Sequence, residues 1–154
     1  MARRKPLQDK LTVGFIEGVI AGIVSSIADL LMVHGLKFGT IRFLDYAGVH
    51  IYGFKPVSLG EQLFAEFVQL IFTGLLGILF IYLIDKVKPA NILFKGSLFG
   101  ILTWFVVYVV NILYKIEPLK RITLPSTLEN YIASVIFGLV LGLAYQRLSN
   151  PAPD

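Results

Sequence analysis

Residues 11–33, LTVGFIEGVIAGIVSSIADLLMV, decide the fold class, because only two of them, Glu17 and Asp29, are charged. A helix rises about 1.5 Å per residue, so a helix of this length crosses the roughly 30 Å hydrocarbon core of a bilayer. Three further stretches share this length and composition: residues 62–84, 92–114 and 128–148. The sequence therefore predicts an all-α protein, a single integral membrane domain folded as a four-transmembrane-helix bundle.

The composition supports a membrane protein over a soluble one. Hydrophobic residues make up 56% of the chain and charged residues 16%, whereas soluble domains are about 45–50% apolar and about 25% charged. Cysteine is absent, which excludes disulfides and thiolate ligands. Because no zinc, phosphate-loop or nucleophile motif is present, we expect no metal, no cofactor and no enzymatic activity.

The distribution of basic residues predicts the orientation in the membrane. With the N-terminus inside, the inner side holds eight Lys and Arg residues and the outer side holds six, and Arg3, Arg4 and Lys5 precede the first span. The positive-inside rule then places both termini in the cytoplasm, in the cell membrane. No small-residue cleavage site follows the first span, so we expect it to be retained. The net charge of +4 suits contact with anionic lipids and does not suggest nucleic-acid binding.

The connection at residues 34–60 is too polar to span and rich in Phe and Tyr. We interpret it as an interfacial or re-entrant segment, either an ordinary aromatic belt or a lid over a substrate path. Three helix starts are also predicted: capping boxes at Ser58/Glu61 and Ser126/Glu129, and an N-cap at Asn91. His34 and His50 are interpreted as interfacial side chains.

Small residues recur at helical spacing in every span. In the first span Gly14, Gly18, Gly22, Ser25 and Asp29 fall within an arc of about 80°. Such a small-xxx-small face lets two helix backbones approach closely in lipid, where hydrophobicity gives no drive for association. Similar faces are predicted in the other three spans, from Gly74 and Gly77, from Gly96 and Gly100, and from Gly138 and Gly142.

The two halves of the chain suggest a duplication of one helical hairpin. Shifting the first span by 78 residues places Gly18 over Gly96 and Gly22 over Gly100, and the first connection is about ten residues longer than its counterpart. Under this alignment Glu17 falls opposite Lys95. If the first and third spans meet, the two side chains form an ion pair; the alternative is that each reaches toward the headgroups.

Intramembrane polar residues are the candidates for function. Asp29 leads them because packing carries it into the bundle, although a structural hydrogen bond to a Tyr, Thr or Asn would also explain it. Asp29 and Glu66 together could share a proton or bind a cation. The predicted polar core is completed by uncharged residues: Gln69, Thr73, Tyr108 and Asn111.

The segments GFIEGVIAG (14–22), KGSLFGILTWFVVY (95–108) and FGLVLGLAY (137–145) resemble small four-span membrane proteins of bacteria, including those of spore-forming Firmicutes. The resemblance covers the order of the spans across most of the chain. It implies the four-span fold and brings no activity or catalytic residue.

Two functions are compatible with these patterns. The first is a non-enzymatic membrane component, either a homo-oligomer or an accessory subunit of a membrane-protein complex. The alternative is a small transporter or ion-conducting protein that uses Asp29 and Glu66, with Glu17 and Lys95 as an inner gate. A membrane enzyme acting on lipid lacks any catalytic constellation in this sequence.

Overall fold

The computed structural model of the protein describes residues 9–87, 90–119 and 123–149. It contains five α-helices, joined by a π-helical turn at Leu31–Gly35, a 3-10 turn at Glu117–Leu119 and loops. None of the described residues forms a strand, so the predicted all-α class is confirmed. The helices are α1 (Lys10–Leu30), α2 (Phe43–Tyr52), α3 (Leu59–Lys86), α4 (Ile92–Leu113) and α5 (Leu124–Leu148).

Four of these helices are long and apolar enough to cross a membrane: α3, α4, α5, and α1 with its π-helical turn. This is the architecture of a multi-pass membrane protein, and the four helices form the predicted four-helix bundle. We call the end that carries Lys10 and Leu148 the terminal end and the opposite end the distal end. The basic residues at 3–5, 88, 120 and 121, which weigh in the predicted orientation, lie outside the described residues.

The helix starts agree in part with the predicted caps. Before α3, Ser58 Oγ accepts from Glu61 N and Glu61 Oε2 accepts from Ser58 N at 2.9 Å, which confirms this capping box. The predicted box at Ser126/Glu129 is wrong, because α5 is capped three residues earlier by Thr123. Asn91 occupies the N-cap position of α4 without a side-chain hydrogen bond.

Glycines set the closest approaches between helices. A Cβ on Gly77 of α3 would collide with Gly14 O and lie 2.7 Å from Gly18 Cα. In the second hairpin, a Cβ on Gly138 would collide with Gly96 O, and one on Gly100 would collide with Ser134 O. The α1–α3 and α4–α5 pairs therefore cross backbone to backbone at glycines, as expected for small-residue faces in lipid.

The bundle departs from the two-fold arrangement that a duplicated hairpin would give. Helix α1 packs along α5, but the equivalent pair, α3 and α4, has no comparable backbone contact. These helices touch through Phe80 and Phe99, whose ring centroids lie 5.3 Å apart. Helix α2, part of the longer first connection, packs on α3 and approaches the 3-10 turn at Glu117–Leu119, so the extra residues lie across the distal end of this gap.

Candidate functional site

A cavity of about 460 Å³ occupies the gap between α3 and α4. Toward the terminal end it stops at the cluster around Phe80 and Phe99, and toward the distal end it is covered by Phe43, Tyr46 and other residues of α2. Its exposed lining residues are Phe72 of α3, Val106 and Val110 of α4, and His50 and Ile51 of α2. The cavity therefore opens sideways between α3 and α4, beside the end of α2, on the surface that faces lipid when the helices span a membrane.

The cavity lining is mostly apolar, and most of its polar groups accept hydrogen bonds, although His50, Tyr46 and Trp104 also line it. Four lining hydroxyls donate to carbonyls of their own helices at 2.7–2.9 Å, which leaves their oxygen lone pairs facing outward. These hydroxyls belong to Ser25, Thr73, Thr103 and Ser134. No Lys, Arg, Asp or Glu lines the described cavity.

Besides Tyr46, described below, three side chains that line the cavity carry buried polar atoms without a hydrogen-bond partner. Gln69 donates through Nε2 to Ser26 Oγ at 3.0 Å and Asn111 donates through Nδ2 to Val107 O at 2.7 Å, so the side-chain oxygens of both are left unsatisfied. Trp104 Nε1 is an unsatisfied donor. Buried polar atoms are rarely left unpaired in a folded protein, and these three are available to a bound molecule.

Aromatic rings form one wall of the site. The ring centroids of Trp104 and Tyr108 lie 4.8 Å apart and those of Tyr46 and Tyr108 lie 6.2 Å apart. Tyr108 donates to Thr127 Oγ1 at 3.2 Å, whereas the hydroxyl of Tyr46 forms no hydrogen bond of acceptable geometry. Burial is the main cause that raises the pKa of the Tyr46 phenol, so this side chain stays neutral.

Beside the cavity, at the distal end, Asp29 of α1 and Glu129 of α5 lie within hydrogen-bonding reach of each other. Both are almost fully buried, and one oxygen of each, Asp29 Oδ1 and Glu129 Oε1, has no other partner. Two ionised carboxylates about 4 Å apart repel each other by about 4 kcal/mol at an effective dielectric constant of about 20. A proton between them removes this repulsion and satisfies both oxygens.

The carboxyl pair holds the chain that leads into α2. Asp29 Oδ2 accepts from Phe43 N, the first amide of α2, at 3.0 Å. Asn130 Nδ2 donates to Ile41 O at 2.9 Å and to Glu129 Oε2 at 3.2 Å. Both sides of the pair are thus tied to the residues just before and at the start of α2.

The only basic residue that bonds within this region of the described structure is Arg42, and it is already paired. Its Nη2 donates to Asp45 Oδ1 at 3.0 Å and its Nη1 donates to Gln62 Oε1 at 3.3 Å. Glu66, partly buried, lies within hydrogen-bonding reach of the Ser26 hydroxyl, which also accepts from Gln69 of the cavity. Acidic groups therefore outnumber basic ones around the cavity.

The structure does not bring Glu17 and Lys95 together. Helix α1 packs on α3 and α5 and not on α4. The prediction that the first and third spans meet is therefore wrong. Glu17 is fully buried and its Oε1 accepts from Ser149 Oγ at 2.7 Å, while Lys95 Nζ donates to Val87 O at 2.8 Å.

The residues of the predicted polar core do not form one cluster. Gln69, Thr73 and Asn111 line the cavity, whereas Tyr108 donates a hydrogen bond to Thr127 of α5. Glu66 lies within hydrogen-bonding reach of the Ser26 hydroxyl and not of Asp29. The glycines predicted for packing lie at the crossings described above. Among the described residues no group of three or more His, Asp or Glu side chains could hold a metal ion.

Sequence reasoning missed Glu129 as the partner of Asp29, because Glu129 was assigned to a helix cap. A signal was present in Thr123-Leu-Pro, since Thr is a good N-cap and Pro is favoured in the first turn. That start places Glu129 more than one turn inside α5.

Comparison of the chain with protein-family models, with curated proteins and with solved structures finds no match.

Proposed function

We propose that this protein is a small, non-enzymatic membrane transporter whose cavity between α3 and α4 binds a lipophilic cation carrying N–H donors. The observation that carries the proposal is the cavity itself: it is apolar, opens sideways, and contains unsatisfied hydrogen-bond acceptors. Ligand sites in proteins are commonly concave, mostly apolar and equipped with a few convergent polar groups.

The lining chemistry selects among apolar molecules. Gln69 Oε1, Asn111 Oδ1 and four hydroxyl oxygens accept hydrogen bonds, against two free donors, Trp104 Nε1 and the Tyr46 hydroxyl. A molecule with N–H groups satisfies the acceptors, whereas a plain hydrocarbon leaves them unpaired and loses that free energy.

The charges around the cavity favour a cation over an anion. Four buried or partly buried acidic residues lie beside its distal end, none of them in its lining, and one basic residue, Arg42, bonds to one of them. The acidic residues are Asp29, Asp45, Glu66 and Glu129. The ring of Trp104, which lines the cavity, adds a favourable face for a cation, worth about 0.5–2 kcal/mol.

The orientation assigned to the transporter follows from the sequence. We propose that it resides in the cell membrane with both termini in the cytoplasm, which places α2 and the carboxyl pair toward the outer face. The cavity then lies nearer the outer leaflet, where a lipophilic cation enters sideways from the lipid.

Uptake of ethidium tests the proposal, because ethidium is a planar aromatic cation with two amino groups and becomes more fluorescent on binding nucleic acid. Liposomes containing the protein and trapped nucleic acid should accumulate ethidium faster than protein-free liposomes. The double variant Gln69→Leu/Asn111→Leu should reduce this rate to the protein-free level. Equal uptake with and without the protein contradicts the proposal.

A second candidate, a subunit of a membrane complex or a homo-oligomer, is favoured by the poor burial of α4. In its most apolar window 22% of α4 is buried, against 39–44% for the other three spans. A partner helix could cover the opening between α3 and α4. Native mass spectrometry after mild extraction distinguishes the two functions: a single chain supports the transporter, and a stoichiometric complex that excludes ethidium supports the subunit.

A further inference from the structure

We propose that the Asp29–Glu129 pair is a proton-binding site that holds α2 closed over the cavity. The inference rests on the proposed function only in that the cavity covered by α2 is the one assigned to the solute. The site itself stands on separate residues, since neither Asp29 nor Glu129 lines the cavity.

The geometry of the pair favours a shared proton. The two carboxyl groups are in hydrogen-bonding reach, and the nearest described cation, Arg42, is engaged by Asp45. The hydroxyl of Tyr46 is buried and without a hydrogen-bond partner, and it lies close enough to interact electrostatically with both carboxyl groups. These atoms form a small, polar and buried site.

The direct link from the carboxyl pair to α2 is a hydrogen bond at the helix start. Asp29 Oδ2 accepts from Phe43 N, so Asp29 adds a cap from another helix to the bond that Asp45 Oδ2 accepts from Arg42 N. While the pair shares a proton, the carboxyl group of Asp29 stays beside Glu129 and can accept the bond from Phe43 N. When the proton leaves, the two negative charges separate, and the bond from Phe43 N to Asp29 is lost.

The consequence is an exchange of proton and cation at two adjacent sites. Residues of α2, Phe43, Tyr46 and Ala47 among them, cover the distal side of the cavity. Loss of the proton frees α2 and adds one negative charge beside the cavity, and both effects favour entry of a cation. The titratable and charged groups that face the pair from the packed elements are Arg42, Asp45, Tyr46, Glu66 and Tyr108.

Infrared spectroscopy tests the proton directly. At neutral pH the wild type should show a C=O stretch of a protonated carboxyl group that disappears in both Asp29→Asn and Glu129→Gln. Each amide donates an N–H to the remaining carboxylate and so replaces the proton. Glu17→Gln and Glu66→Gln are matched controls and should retain this component. A spectrum in which neither pair variant removes a protonated carboxyl component overturns the proposal.

Amide hydrogen exchange tests the link to α2. In the wild type, exchange of residues 43–52, corrected for the intrinsic rate, should accelerate about tenfold as the pH rises and the pair loses its proton. In Asp29→Asn, whose amide oxygen still accepts from Phe43 N, exchange should stay slow at every pH, and in Glu66→Gln it should follow the wild type. Exchange of residues 43–52 that is independent of pH in the wild type overturns the link.

The two proposals fail separately. Ethidium uptake without a pH response of α2 overturns the coupling and leaves the transporter standing. A pH response of α2 without uptake overturns the transporter and leaves the proton site standing. Stabilisation of the wild type by Na⁺ at constant pH, lost in Asp29→Asn, would show a sodium site and overturn the assignment to a proton.

Discussion

Asp29 and Glu129 belong to the first and last helices of the chain and lie together beneath the start of α2. Asp29 Oδ2 accepts a hydrogen bond from Phe43 N, the first amide of α2, at 3.0 Å. Glu129 accepts from Asn130 Nδ2, which also donates to Ile41 O. A carboxyl pair and a cavity therefore share one covering helix. Both the carboxyl pair and the helix that covers the cavity therefore lie in the distal half of the bundle.

The glycine crossing between α1 and α3 should not tolerate a side chain. We expect Gly77→Leu to lower the free energy of unfolding by about 1–3 kcal/mol, since its Cβ collides with the backbone of Gly14 and Gly18. Gly60→Leu, on the same helix with no atom within 4 Å of its Cβ, is the control. Unfolding in detergent micelles measures both, and equal stability of the two variants would contradict the observed crossing.

Glu17 should couple to Ser149 and not to Lys95. Removing the hydroxyl in Ser149→Ala leaves a buried carboxyl oxygen without its partner, which should cost about 1–3 kcal/mol. In a double-mutant cycle, Glu17→Gln and Lys95→Met should be additive within about 0.5 kcal/mol, because Glu17 bonds to Ser149 and Lys95 bonds to the Val87 carbonyl. A larger coupling between Glu17 and Lys95 would restore the ion pair that the sequence suggested.

The stability of the first turn of α1 should depend on pH, because Asp9 caps this turn. Hydrogen bonds from the Thr12 hydroxyl and the Leu11 amide lower the pKa of Asp9 below its usual value of 3.8. A lowered pKa in the folded state means that this cap stabilises α1 above about pH 4 and is lost as the pH falls through the folded value. Amide exchange of Leu11 and Thr12, corrected for the intrinsic rate at each pH, should rise on acidification in the wild type and be insensitive to pH in Asp9→Asn; an equal acid response in both would exclude this cap.

Filling the cavity should abolish binding without loss of stability. Thr103→Phe adds a ring to the open space between α3 and α4, where Thr103 bonds only to its own helix. We expect the rate of ethidium uptake to fall at least tenfold, while the free energy of unfolding changes by less than about 0.5 kcal/mol. Leu102→Phe, on the exposed face one residue away, is the control, and a parallel loss of uptake in both variants would argue against the cavity as the site.

The four spans could be predicted from the sequence because hydropathy and length depend only on local composition, and the cap at Ser58 because it is a local motif. The partners of Glu17, Asp29 and Lys95 could not, because they depend on which helices adjoin. The alignment of halves suggested that the first and third spans meet, whereas α1 packs on α5 and leaves the α3–α4 side open. The cavity arises because α3 and α4 are not packed against each other along their length and because α2 covers the distal end of the gap. Neither feature can be read from the sequence of one span.

Fluorescence of Trp104 reports directly on a cation in the cavity, because Trp104 is the only tryptophan in the chain and lines the cavity. The probes are undecyl chains with bromine, a quencher, at one end and an ammonium, trimethylammonium, carboxylate or methyl group at the other. We expect saturable quenching by the ammonium probe, much weaker quenching by the other three, and loss of this preference in Gln69→Leu/Asn111→Leu. Equal quenching by all four probes would mean that Trp104 senses the surrounding lipid alone, and would contradict a cation-binding cavity.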